Sequence, residues 1–245
     1  MKTFRRVLLA LTAMTALFLA PQVALGSPGG RGTTPSPSVS SSPKPPVVPR
    51  TTGILTGFDS ITLGDTGSVT DSYRGALTSL LDGVSFSHRF IVAAESGSRC
   101  AQWVERMPEI LSWRNPGVVI INCGTNDPTF TVEDRELLGQ SYRQLIEMIH
   151  AHNPYTRIML SKVQISRVDP EGSLAWLPDS EIRANEVIEF NAGYYIPAWP
   201  TVTLVDLSTI PTTVENNPDG IHLSPLGEQA YAQAYFDEGR LLGWW

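Results

Sequence analysis

Val118-Val119-Ile120-Ile121, leading into Gly124-Thr125-Asn126-Asp127, is the stretch whose reading sets the fold class. Four consecutive branched apolar residues leave no face for solvent. A strand built from them is buried on both sides, as strands are in a parallel sheet covered by helices. Outward from this run, strands are expected over 53–58 and 90–94 before it and over 157–163 and 201–207 after it. Helical spacing of apolar residues falls between them, over 71–81, 101–113, 132–152, 179–194 and 225–239. The helix over 71–81 is closed by Gly83, and the one over 132–152 is opened by Glu133 and Asp134, acids suited to a helix N-terminus. Strands and helices thus alternate about five times, which predicts an α/β fold: a three-layer α/β/α sandwich with a parallel five-stranded sheet. In such a sheet the loops at the carboxyl ends of the strands form the cleft.

That domain is expected over 51–245. The chain has 245 residues, 42% hydrophobic and 17% charged, enough to bury one sizeable core. Residues 1–26 read as a signal peptide: Lys2, Arg5 and Arg6 precede the apolar run from Val7 to Ala20, and Ala24-Leu25-Gly26 offers small residues for cleavage. The alternative is an uncleaved anchor. Residues 27–50, dense in Pro, Ser, Gly and Thr, read as a disordered linker, either an O-glycosylated stalk or a plain spacer. Together these predict a secreted protein, extracellular or held at the cell surface, with no stable membrane insertion after cleavage.

All 24 acidic residues fall in 51–245 against 12 of the 18 basic ones, a net charge of −12 for the domain. That field disfavours nucleic acid and strongly anionic polymers, and tilts the substrate towards neutral molecules. A monomer is expected. The four histidines, His88, His150, His152 and His222, form no spaced cluster with Cys100 and Cys123, so neither a metal nor another cofactor is expected. The two cysteines, in an exported domain, are either a disulfide or two buried thiols.

Polar clusters stand where the strands end. Asp59-Ser60-Ile61-Thr62 follows the first strand, Ser96-Gly97 the second, Gly124-Thr125-Asn126-Asp127 the third, and Asp219-Gly220-Ile221-His222 lies after the fifth. All four should open onto one edge of the sheet. They supply what ester hydrolysis needs: a hydroxyl, a base to take its proton, a carboxylate to orient the base, and donors for an oxyanion. Asp219 and His222, three apart in a turn, can orient one another without a third chain segment.

In this order the blocks resemble those of the SGNH hydrolases, also called GDSL esterases and lipases. The resemblance covers essentially all of 51–245 and implies a flavodoxin-like fold. It implies Ser60 as nucleophile and, through its N–H, one oxyanion donor. Gly97 and Asn126 would be the other donors, and Asp219 and His222 would complete the triad. One departure stands out: the family usually has Gly directly before the Asp-Ser pair, whereas here Phe58 sits there and Gly57 is one place earlier.

The resulting expectation is a secreted serine esterase that cleaves carboxylic esters, acetyl esters of carbohydrate first, through an acyl-enzyme. A lipase, phospholipase or thioesterase of the same family remains an alternative, as does a non-catalytic glycan- or surface-binding domain of the same fold. A histidine base must be neutral to work, so activity should fall on the acid side of neutrality. Other residues carry plainer readings. Asp59 and Asp127 are turn carboxylates, His150 and His152 surface groups at a helix end, and Arg99 a salt-bridge partner. Trp103, Trp199, Trp244 and Trp245 belong to core or interface, and Trp176 is the tryptophan best placed to meet a sugar.

Overall fold

Residues 51–64, 67, 70–167 and 175–245 are described by a computed structural model of the chain. The expected signal peptide (1–26) and linker (27–50) lie outside the described residues. Five strands, β1 (Thr52–Phe58), β2 (His88–Ala94), β3 (Val118–Ile121), β4 (Arg157–Lys162) and β5 (Val202–Asp206), form one parallel sheet in the order β2-β1-β3-β4-β5. Helices α1 (Ser60–Leu63), α2 (Tyr73–Gly83), α3 (Cys100–Trp113), α4 (Val132–His152), α5 (Leu177–Ala198) and α6 (Pro225–Leu241) complete the three layers.

Strand periodicity divides the core in two. Leu55, Val119, Ile121, Ile158 and Leu160 face one side and pack with Trp103 and Met107 of α3, Tyr142, Leu145 and Ile149 of α4, and Ala184 and Ile188 of α5. Ile54, Val118, Ile120, Met159 and Val205 face the other and meet Tyr73, Leu77 and Leu81 of α2 and Tyr231 and Tyr235 of α6. Every residue of β3 is fully buried, because adjacent residues of a strand point to opposite faces and here both faces are covered.

Local chemistry fixes the ends of the elements. Thr131 accepts from the N–H of Asp134 while Asp134 accepts from that of Thr131, a reciprocal capping box that starts α4. Ser224 accepts from Leu226 and Gly227 and is followed by Pro225, which starts α6.

Three departures from the expected boundaries have physical causes. β2 begins at His88, two residues early, because it is an edge strand and tolerates the polar His88 and Arg89 opposite Thr52 and Gly53. α5 runs on to Ala198 through Pro197, held by buried Tyr195, whose ring centroid lies 4.9 Å from that of Trp199. α1 is only four residues long, too short for periodicity to register.

In the order β2-β1-β3, chain connections leave in opposite directions on either side of β1 and β3. The crevice outside the carboxyl ends of the strands opens at such a switch point, and the loops after β1 and β3 carry Ser60 and Asn126.

Candidate active site

Ser60 is the first residue of α1, and its turn is set by Asp59. The Asp59 carboxylate accepts from the N–H groups of Ile61 (3.1 Å) and Thr62 (3.4 Å), as expected of a helix-start carboxylate. That cap spends two of the amides that a helix N-terminus leaves unpaired and does not engage the N–H of Ser60. Arg74, fully buried, donates to the carbonyl oxygens of Thr62 and Leu63 (3.2 Å for the latter) and so ties α1 to α2. The sequence reading missed Arg74, since an arginine among helical residues carries no signal of burial.

Phe58, the departure from the family pattern, sits at φ +101° with its ring buried. A backbone region that favours glycine is therefore occupied by an aromatic residue. The ring packs edge-on against Trp103 with centroids 5.3 Å apart, and its carbonyl oxygen accepts from Glu95 N–H (3.0 Å) and from the Ser98 hydroxyl. Gly57 is needed for a different reason: a Cβ there would lie 2.3 Å from the carbonyl oxygen of Ala93 on β2.

Asp219-Gly220-Ile221-His222 forms a self-contained turn. Asp219 Oδ1 accepts from the N–H groups of Ile221 (2.9 Å) and His222 (2.7 Å), and its Oδ2 lies 2.6 Å from His222 Nδ1. Burial pushes the Asp219 carboxyl up, but the hydrogen bonds from the His222 ring and the two amides outweigh it and hold the group below the ordinary carboxylate range. Gly220 adopts φ +92°, and a Cβ there would lie 2.7 Å from the carbonyl oxygen of Arg167. Buried Asn217 braces the turn by donating to Ile221 O (2.8 Å) and Gln164 Oε1 (3.1 Å).

His222 Nε2 lies 3.0 Å from Ser60 Oγ. With a carboxylate at Nδ1, that nitrogen carries the ring proton and Nε2 presents a lone pair to the serine hydroxyl. The structure thus joins Ser60, His222 and Asp219 in one hydrogen-bonded line, with the side chains of Asp219 and His222 each about half exposed. They border a cleft of about 300 Å³ whose walls include Ser60, Ser72, Ser96, His222, Leu63 and Glu228.

The other two expected residues are brought near each other by Ser98. Gly97 is exposed at φ +72°, and nothing stands within 4 Å of where its Cβ would be. Asn126 donates one amide N–H to the carbonyl oxygen of Ser98 (3.2 Å), next to Gly97 in the chain. Cys100 and Cys123 are joined in a disulfide, Cα atoms 5.5 Å apart, linking the start of α3 to the loop after β3. The Asp127 carboxylate reinforces that link by accepting from Cys100 N–H (3.1 Å to Oδ2), consistent with a structural role. Burial raises Asp127 to about 6 and Asp59 to about 7.

Plainer assignments divide. Trp103 and Trp244 are core, and His152 is exposed. His150 is not a free surface group but half-buried, stacked on Trp199 with centroids 3.8 Å apart, because the helix end lies against the residue that closes α5. Arg99 makes no salt bridge among the described residues; its loop is held instead by its own N–H, which donates to Gln102 Oε1 (2.8 Å). Trp176 is partly exposed at the start of α5, edge-on to Phe130, and does not line the cleft at Ser60. No group of three or more His, Cys, Asp or Glu residues able to hold a metal ion occurs among the described residues.

Residues 59–230 match the model of the GDSL-like lipase/acylhydrolase family. The chain belongs to this family. Its members are carboxylic ester hydrolases, and this GDSL-like protein is one. Among solved structures it is similar to a family 3 carbohydrate esterase from Clostridium thermocellum, with 23% identity over 76% of this chain and 94% of that one and a TM-score of 0.61. A lipase/acylhydrolase from Enterococcus faecalis shares 17% identity over 77% and 95% of the two chains, TM-score 0.63. An acetyl xylan esterase from Geobacillus stearothermophilus shares 19% over 76% and 94%, TM-score 0.59. At these identities the likeness is one of fold. No curated protein matches the sequence.

Proposed function

We propose that this GDSL-like hydrolase is a secreted serine esterase that removes short acyl groups, acetyl first, from carbohydrate. The observation that carries the catalytic part is the 3.0 Å approach of His222 Nε2 to Ser60 Oγ, with Asp219 Oδ2 2.6 Å from the other ring nitrogen. Ser60 Oγ attacks the ester carbonyl carbon as its proton passes to His222 Nε2, and Asp219 stabilises the imidazolium. The Ser60 and Gly97 N–H groups and the second amide N–H of Asn126 receive the oxyanion. Collapse breaks the bond to the alkoxy oxygen, and His222 protonates the departing alcohol. Water then attacks the acyl-enzyme, giving its proton to His222, and a second collapse releases the carboxylic acid and restores the Ser60 hydroxyl.

The substrate part is supported by the cleft and the charge. Ser96 and Glu228 are among the residues that border it, a setting better suited to a hydroxylated alcohol than to an alkyl chain. The net charge of −12 over 51–245 favours a neutral polymer over an anionic one. Export rests on the sequence of residues 1–26 and on the linker that follows. Two of the similar structures are named for carbohydrate or xylan esterase activity.

The test is hydrolysis of p-nitrophenyl acetate and octanoate, then of acetylated xylan, by the wild type and Ser60→Ala. Turnover that prefers acetate and vanishes in Ser60→Ala is expected. Undiminished turnover in Ser60→Ala overturns the serine mechanism; a strong preference for octanoate overturns the deacetylase assignment.

A further inference from the structure

Ser98 is buried, and each of its polar groups has a partner within the protein. Its hydroxyl donates to the carbonyl oxygen of Phe58 and accepts from Trp103 Nε1 (2.9 Å). Its N–H donates to Glu95 O (3.3 Å), and its carbonyl oxygen accepts from Asn126 Nδ2 (3.2 Å). One residue thus joins the end of β1, the body of α3 and the loop after β3. The end of β1 leads to Ser60, the loop after β3 carries Asn126, and Ser98 itself follows Gly97 in the chain.

We propose that Ser98 is a positioning residue that holds the three oxyanion donors in one frame, with Trp103 holding Ser98. The assignment rests on the serine esterase reading above and extends it. Its physical basis is that Phe58, at φ +101°, occupies a region that only its surroundings can enforce. Its carbonyl oxygen is held by two donors, one of them the Ser98 hydroxyl. The same side chain fixes the direction of the Ser98 carbonyl, on which Asn126 rests. No polar atom of Ser98 remains for substrate, so it acts through the donors and not on the ester.

Ser98→Ala is expected to lower kcat on p-nitrophenyl acetate about ten- to hundredfold, the scale of a donor displaced by a fraction of an ångström to one ångström. KM and the pH profile should change little, since Asp219 and His222 are untouched. Ser98→Thr, which keeps the hydroxyl, should recover part of the loss. Trp103→Phe, which keeps a ring against Phe58 but removes the indole N–H, should lower kcat in the same direction. Combined with Asn126→Ala, Ser98→Ala should cost less than the product of the two single losses, because both act on one donor set. Wild-type kcat in Ser98→Ala overturns the assignment, as do single losses that multiply in the double variant. Where Ser98→Ala does not fold, wild-type kcat in Trp103→Phe does the same. Full turnover in Ser60→Ala would instead remove the reading beneath it, so the two failures are told apart.

Discussion

The ring of His222 and the hydroxyl of Ser60 are 3.0 Å apart although 162 positions separate them in the chain. Asp219 does two jobs in that contact: Oδ2 binds the ring and Oδ1 binds the backbone of the same turn. Asp219→Asn keeps the shape but presents either an amide N–H or a weaker acceptor to Nδ1, which disfavours the working tautomer. Its kcat on p-nitrophenyl acetate should drop by up to about 10⁴-fold with a far smaller change in KM, the scale seen when a triad carboxylate becomes an amide.

Gly220→Ala tests the same turn through its backbone. The alanine Cβ would meet the Arg167 carbonyl oxygen, and φ +92° is disfavoured for any residue with a side chain. Melting should report a loss of at least about 1–2 kcal/mol from backbone strain alone, with kcat reduced because Asp219 and His222 flank the displaced residue.

Phe58→Gly sets two effects against each other. Relief of the positive φ is worth about 1–3 kcal/mol, whereas deleting a buried phenyl ring beside Trp103 costs about 3–5 kcal/mol. Packing should win, leaving Phe58→Gly less stable than wild type by about 1–3 kcal/mol in urea unfolding. Phe58→Ala, which loses the ring without relieving the strain, should be less stable than Phe58→Gly.

Buried carboxyl groups set a pH trend for stability. Burial raises Asp59 and Glu181 to about 7 and Asp127 to about 6, against backbone hydrogen bonds that pull each down. With folded-state values above the unfolded ones of about 4, the folded chain binds more protons between these limits, and stability falls as pH rises from about 4 to about 7. Thermal unfolding should therefore occur at higher temperature at pH 5 than at pH 8. Asp59→Asn, neutral at both, should flatten that slope.

The Cys100–Cys123 bridge, 23 positions apart, should contribute about 3 kcal/mol, largely by restricting the unfolded chain. The double substitution of both residues by serine should lower the urea midpoint accordingly. A variant as stable as wild type would mean that the bridge contributes nothing.

Much of this was legible in the chain. Val118–Ile121 announces a doubly covered strand, the alternation around it sets out the layers, and the polar blocks at strand ends, with their family resemblance, bring Ser60, Gly97, Asn126, Asp219 and His222 forward as candidates. Phe58 was visible as a departure, but its consequence was not: a sequence carries no φ, and only the packing of Trp103 and the donors at its carbonyl oxygen say what that position demands. Arg74 and His150 were unreadable for a related reason, since burial of a polar residue depends on partners from other elements.

Local chemistry therefore determined what the sequence could declare by itself: periodicity, caps, turns and the residue types that ester hydrolysis requires. Only tertiary structure decided that Ser60 and His222 meet, that Cys100 and Cys123 are joined, and that Ser98 ties three loops together. Those are contacts between segments far apart in the chain. Their geometry follows from how the sheet orders its strands, which no local pattern encodes.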